Sequence, residues 1–164
     1  MRFDEILVRS GSTARSVDRL DGFAVEVGLP PEWDVFDCAP GLQAWVCTDG
    51  PRTTGFCTNA VLTMHRVEAE LDPAAVFVML SDQQLQTVPG SRELHREFVS
   101  AAEGPGAAGT LIMQIPQEFG VVDSSSQCRI VVADQAALIA QLTLTALRDS
   151  PAGRSPISLA VRSI

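Results

Sequence analysis

The chain has 164 residues and a formal net charge of -8, from 12 basic and 20 acidic side chains, with 46% hydrophobic and 20% charged residues. That length suits one domain, and that balance suits a folded globular chain rather than a disordered one. Every basic residue is arginine, and lysine and tyrosine are missing altogether, which excludes phosphate-loop enzymes and Schiff-base or pyridoxal chemistry, all of which need a lysine amine.

Phe3 to Arg9 alternates loosely and reads as a short strand, whereas Ser10 to Asp21, rich in Ser, Gly and charge, reads as a loop or mobile arm. Phe23, Val25 and Val27 alternate with Ala24, Glu26 and Gly28, the period of a half-buried strand. Leu29-Pro30-Pro31-Glu32-Trp33 stops it, because proline removes a donor that the ladder requires. Leu42 to Thr48 alternates again, with Leu42, Ala44 and Val46 on one face, and Asp49-Gly50-Pro51 is a turn signal. Phe56 to Val67 is a longer strand with Ala60, Leu62 and Met64 on one side. The best-marked element is a helix: Asp72 caps it, Pro73 suits its first turn, and Val76, Phe77, Leu80 and Gln84 recur at helical spacing before Val88-Pro89-Gly90 ends it. Glu93 to Ser100 fits either period and is read as strand. A meander follows, Thr110 to Phe119, Gln127 to Asp134 and Ala137 to Leu147, with Ser124-Ser125-Ser126 as a turn. Its last strand sets Leu138, Ala140, Leu142, Leu144 and Ala146 against Gln141, Thr143 and Thr145, as in a sheet with one packed and one wetter side. Pro156 to Ile164 docks as a short helix or strand. Strands, one helix, then strands predict a single α+β domain over residues 1–164, with an antiparallel sheet, a helix on one face and a short C-terminal element.

Few motifs carry chemistry. Gly104-Pro105-Gly106-Ala107-Ala108-Gly109 matches G-x-G-x-x-G, but a dinucleotide loop must open a helix, and Leu111 to Pro116 reads as strand, so a flexible hairpin loop is expected. Cys38, Cys47, Cys57 and Cys128 form no C-x-x-C pair and are expected as reduced thiols; disulfides among the first three are the alternative if the chain is exported. His65 and His95 lack metal-ligand spacing, and the His95-Arg96-Glu97 run lacks the cysteine pair of a zinc deaminase, so no metal and no cofactor are expected. A Cys57/His65 nucleophile pair rests on residue type alone. Trp33 and Trp45 are the large amphipathic aromatics, read either as partly buried against the sheet or as anchors for a ligand or partner. The acidic balance and the scatter of arginines from Arg2 to Arg162 argue against nucleic acid. No stretch reaches the roughly 20 apolar residues of a membrane span, so no membrane insertion is expected. Met1-Arg2-Phe3-Asp4-Glu5 has no long apolar run behind it, which points to a cytoplasmic location, with export as the alternative.

The segment Thr58-Asn59-Ala60-Val61-Leu62, with Leu71-Asp72-Pro73-Ala74-Ala75-Val76, Pro31-Glu32-Trp33 and Ala140-Gln141-Leu142-Thr143-Leu144, resembles the LpqN/LpqT-type mycobacterial proteins across roughly Gly22 to Leu147. The resemblance implies a Mog1/PsbP-like fold, a strongly bent antiparallel sheet with helices packed on it. It also implies a non-enzymatic binding or assembly role, with no catalytic residues to carry over. The lipidated cysteine of the exported family members is not expected here, since the first cysteine, Cys38, lies deep in the domain. The lysine-free composition suits a GC-rich genome such as an actinobacterium. The expected function is therefore a protein-binding or adaptor domain acting on a protein partner or as a homodimer, with Trp33, Trp45 and His65 as candidate binding residues. The alternatives are a carrier of a small apolar molecule or glycan, and a cysteine-dependent hydrolase.

Overall fold

The computed structural model describes residues 14–31, 33–39, 41–47, 57–101, 104–118, 120–150 and 157–164; the strand expected over Phe3 to Arg9 lies outside them. In chain order the elements are β1 (Ala14–Ser16), β2 (Phe23–Gly28), β3 (Trp33–Ala39), β4 (Leu42–Cys47), β5 (Asn59–Val67), α1 (Pro73–Thr87), β6 (Arg92–Ser100), β7 (Ala107–Gln117), β8 (Gly120–Ala133), β9 (Ala136–Leu147) and β10 (Ser158–Ser163). The large sheet runs β3-β4-β5-β9-β8-β7-β6, with every neighbour antiparallel. On one edge of β5, β4 pairs with Asn59–Thr63 and β1 with His65–Val67. The second sheet is a two-stranded ribbon in which Phe23 lies opposite Ser163 and Gly28 opposite Ser158.

Alternation in β5 and β9 sorts their side chains to two apolar layers. Ala60, Leu62 and Met64, with Leu138, Ala140, Leu142 and Leu144, meet the ribbon through Val25, Val27, Leu159 and Val161. Val67, Ala137, Ile139, Cys128 and Ile130 face the other way and meet Val76, Phe77 and Met79 of α1. Each fully buried large apolar side chain contributes roughly 1.5–3 kcal/mol. Both faces are covered along Ala136–Ala140, five consecutive buried residues. Beyond them Gln141, Thr143 and Thr145, on the helix side, are half-buried. The α+β class and the helix-covered face are therefore as expected, and the C-terminal element is a strand. The other face is not open, since the β2–β10 ribbon packs on it.

The helix forms where its signals stand. Asp72 Oδ1 accepts from the Ala74 N–H at 3.3 Å, Pro73 occupies the first turn, and Ser91 Oγ donates to the Leu85 carbonyl at 2.9 Å after the last turn. Arg96 ties helix to sheet, with Asp82 at 3.0 Å and Glu93 at 2.6 Å.

Three local expectations fail for identifiable reasons. The arm over residues 10–21 is docked from Ala14 onward: β1 extends the edge of β5, the Val17 N–H donates to the Met64 carbonyl at 3.1 Å, and Leu20 is buried. Ser124-Ser125-Ser126 is no turn but the middle of β8, with Ser124 and Ser126 buried. Gln84 Nε2 donates to Ser126 Oγ at 3.2 Å, and Ser126 Oγ lies 2.8 Å from Thr143 Oγ1, so these hydroxyls find partners inside the fold. Trp33 does not end the strand region but begins β3, an edge strand absent from the sequence reading.

All three glycines of the G-x-G-x-x-G run belong to the β6–β7 connection and the start of β7, and two show why glycine is required. Gly104 has φ +81°, and a Cβ there would strike the Val161 carbonyl oxygen of β10. A Cβ on Gly109 would strike the Phe77 ring, which is stacked on Phe98 with centroids 5.4 Å apart. Gly109→Ala is expected to lower stability by about 1–3 kcal/mol through this overpacking, read as a fall in the urea midpoint at unchanged m-value; an unchanged midpoint would show that the ring can give way.

Candidate functional site

The two tryptophans share the ribbon-side face of the β3–β4 end. In the register Trp33 lies opposite Cys47 and Val35 opposite Trp45, so the tryptophans are diagonal neighbours. Trp33 is buried at 7% exposure in the core, and its indole N–H has no acceptor among the described residues. Trp45 is half-buried and packs against the same core. Between Val35 and Asp37 the register slips by one residue, placing Phe36 at a bulge. Val35 is 68% and Phe36 72% exposed on this edge strand. Sequence reading missed both: the Asp34-Val35-Phe36-Asp37 run has no clean alternation, and nothing local signals a bulge.

His65 does not join them. Its neighbours in the register are Ile139 and Ser16, and alternation from Met64 puts it on the helix side of β5, opposite to Trp45. Burial lowers its pKa from the ordinary value near 6.5. His95 lies on exposed β6, 3.5 Å from Glu97. Cys57 is exposed, two residues before β5. The extended run from there to His65 spans more than about 20 Å, so these two cannot form a nucleophile pair. Cys128 is buried under α1, and burial pushes its thiol up to about 11, against the lowering effects of a hydrogen bond with the Gly109 backbone and of the Arg129 charge. That thiol is a packing group rather than a nucleophile. Among the described residues no cluster of three or more His, Cys, Asp or Glu could hold a metal ion.

A groove of roughly 290 Å³ lies on the ribbon side, where β10 leaves β7 and part of β8 uncovered; Ala108, Thr110, Gln127, Arg129, Leu159 and Ala160 are among its lining residues. The outer edge of β10 is held at both ends of this groove. Gln127 Nε2 donates to the Ile157 carbonyl at 3.3 Å, and Gly104 abuts the Val161 carbonyl. Arg129 is buried at 7% exposure, donates to the Pro105 carbonyl at 2.7 Å, and has its pKa lowered by burial. Neither tryptophan lines the groove. On the helix side, Ser81, Gln84, Ser126 and Gln141 border a cavity of only about 10 Å³, the size of a single water and too small for a ligand.

A helix on one face of a long antiparallel sheet and a two-stranded ribbon on the other make up an LpqN-like fold. No family model matches the chain, and no curated protein matches it. Among solved structures, that of LpqN, involved in cell envelope biogenesis of Mycobacterium tuberculosis, is similar with a TM-score of 0.73 and 16% identity, over 98% of this chain and 98% of that one. The Ran-binding protein Mog1p of Saccharomyces cerevisiae matches with a TM-score of 0.48 and 9% identity, over 84% of this chain and 79% of its own. The likeness to LpqN is one of fold. No helix among the described residues is long and apolar enough to cross a membrane.

Two outcomes follow for the titratable groups. A thiol alkylating agent at pH 8 should modify Cys57 in the folded protein and Cys128 only after unfolding; prompt labelling of Cys128 would contradict its assignment as a packing group. Because the folded-state pKa of His65 lies below its unfolded value, the unfolded chain binds the extra proton first. This contribution to stability is complete above about pH 6.5 and is lost as pH falls through the lowered value. Urea midpoints should show His65→Gln removing part of the acid-side decline.

Proposed function

We propose that the chain is a non-enzymatic protein-binding module of adaptor type, with residues 1–164 acting as one unit. Its docking element is the apolar end of β3 and β4. The observation that carries this reading is the exposure of Val35 and Phe36 on an edge strand backed by Trp45, the cross-strand partner of Val35. Large exposed apolar groups at a bulged edge are what a partner's apolar side chains can cover, and half-buried tryptophan is the residue type most enriched in binding hot spots. Trp33 serves from behind, holding the start of β3 in the core. His65 lies on the opposite face and takes no part in this surface. The dispersal of His65, Cys57 and Cys128 supports a role without catalysis. The likeness in fold to LpqN, a protein involved in cell envelope biogenesis, is compatible with this reading.

A second reading, a carrier of a small apolar molecule or glycan, has the groove beside β10 in its favour. At roughly 290 Å³ that groove sits at the lower limit of about 300 Å³ for ligand sites.

A photo-crosslinking residue at Phe36, expressed in an actinobacterial host, should yield a discrete protein adduct, and the same residue at Val132 should not. Val35→Asp with Phe36→Asp should abolish binding of the isolated partner while leaving the melting temperature within about 2–4 °C. Cell fractionation of the adduct would assign it to cytoplasm or envelope. An unchanged affinity in the double variant would remove β3 as the docking element. A thermal shift with a lipid and glycan panel, lost on Thr110→Trp, would favour the carrier.

A further inference from the structure

The opposite end of the sheet presents a second edge with a different chemistry. Among the described residues, β6 pairs with β7 on one side only. The bond from the Ala101 N–H to the Gly106 carbonyl at 3.0 Å sets the phase of that pairing. Residues opposite Ala108, Thr110 and Ile112, namely Val99, Glu97 and His95, turn their peptide groups toward β7. Residues opposite Ala107, Gly109, Leu111 and Met113, namely Ser100, Phe98, Arg96 and Glu93, turn theirs outward. Glu93 keeps this phase because the register shift before His95 inserts Leu94 as an extra residue.

The free peptide groups and the charges together fit a second copy of the same strand. With two β6 strands antiparallel about a two-fold axis at His95, Glu93 meets Arg96 of the second copy, and both expose their peptide groups to the junction. One step out, Arg92 meets Glu97 of the second copy. Each pair shares a face: Glu93 and Arg96 lie on the helix side, Arg92 and Glu97 on the ribbon side. Symmetry doubles both pairs. The register is selective, since an axis at Arg96 or Glu97 would set each of those charges against its own copy. Charged edge strands ordinarily prevent pairing; this order of signs reverses the effect. Arg96 already bonds Asp82 and Glu93 within the chain, so the second copy extends an existing network. Arg92 makes no ion pair among the described residues. Leu94 and Val99, 44% and 46% exposed, leave large apolar groups on the same strand.

We propose that the chain forms a two-fold dimer through β6, joining two large sheets into one continuous antiparallel sheet. This goes beyond the adaptor reading, because β3 lies at the far end of each sheet and stays open in the dimer.

Sedimentation velocity on the full chain at low salt, from about 1 to 300 μM, should show a monomer–dimer equilibrium that weakens as salt rises. Arg92→Glu and Glu97→Arg should each weaken the dimer about tenfold or more, because each sets like charges opposite one another twice. Combining the two restores opposite signs and should recover the dimer. His95→Cys in a Cys57→Ser background should form a disulfide-linked dimer under mild oxidation, since the axis brings that residue against its own copy. A monomer throughout that range overturns the proposal, as does a dimer that tolerates both single reversals. The Val35 and Phe36 variants should leave the dimer unchanged, so failure at β6 and failure at β3 read separately.

Discussion

Two-sided burial of β9 is the constraint from which the remaining architecture follows. Ala136, Ala137 and Ala140 are small enough for α1 and the β2–β10 ribbon to approach the sheet from opposite sides, while Leu138 and Ile139 fill the layer each faces. A strand buried on both faces has no room for a polar side chain without a partner, and Ala136–Ala140 contains none. Beyond Ala140, Gln141, Thr143 and Thr145 appear on the helix side, and Thr143 joins Ser126 and Gln84 in a short polar chain. Packing density at β9 therefore decides where the interior must be apolar and where hydroxyls are tolerated.

With both central faces occupied, the places that the described residues leave open to a partner are the two edges of the sheet and the groove beside the narrow ribbon. The edges differ in kind. β3 exposes Val35 and Phe36 beside Trp45, and a bulge disturbs its outer hydrogen-bonding row. β6 carries Arg92, Glu93, Arg96 and Glu97, and its register shift at Leu94 keeps both Glu93 and Arg96 in the outward phase. An apolar edge suits side-chain docking, and one with charges of alternating sign suits strand pairing. The glycine-rich run belongs to this geometry as well. Gly104 brings the β6–β7 connection against the backbone of β10, and Gly109 makes room for Phe77.

The elements legible in the sequence are those whose determinants are local. Asp72 and Pro73 mark the start of α1, and the side chains of β5 and β9 alternate cleanly enough to assign both faces. β3 was illegible because Pro30-Pro31 precedes it and Asp34 and Asp37 interrupt its apolar residues. Ser124-Ser125-Ser126 reads as a turn by composition, and only Gln84 and Thr143, distant in sequence, make those hydroxyls acceptable inside a strand. At the candidate site, residue type picked out Trp33 and Trp45 but not their division of labour, which depends on where the ribbon ends. It also grouped His65 with them, although one step of alternation along β5 puts His65 on the other face.

By itself, the sequence determined the class of architecture, the helix and its cap, the long central strands and the chemistries that a lysine-free chain cannot perform, because alternation, capping and composition act over a few residues at a time. Tertiary structure alone decided that a ribbon built from β2 and β10 covers the second face, that Trp33 is core while Val35 and Phe36 are surface, and that the charges of β6 stand on a free edge. Those outcomes depend on contacts between segments more than a hundred residues apart, such as Phe23 with Ser163, and no local pattern encodes which strand will be left without a neighbour.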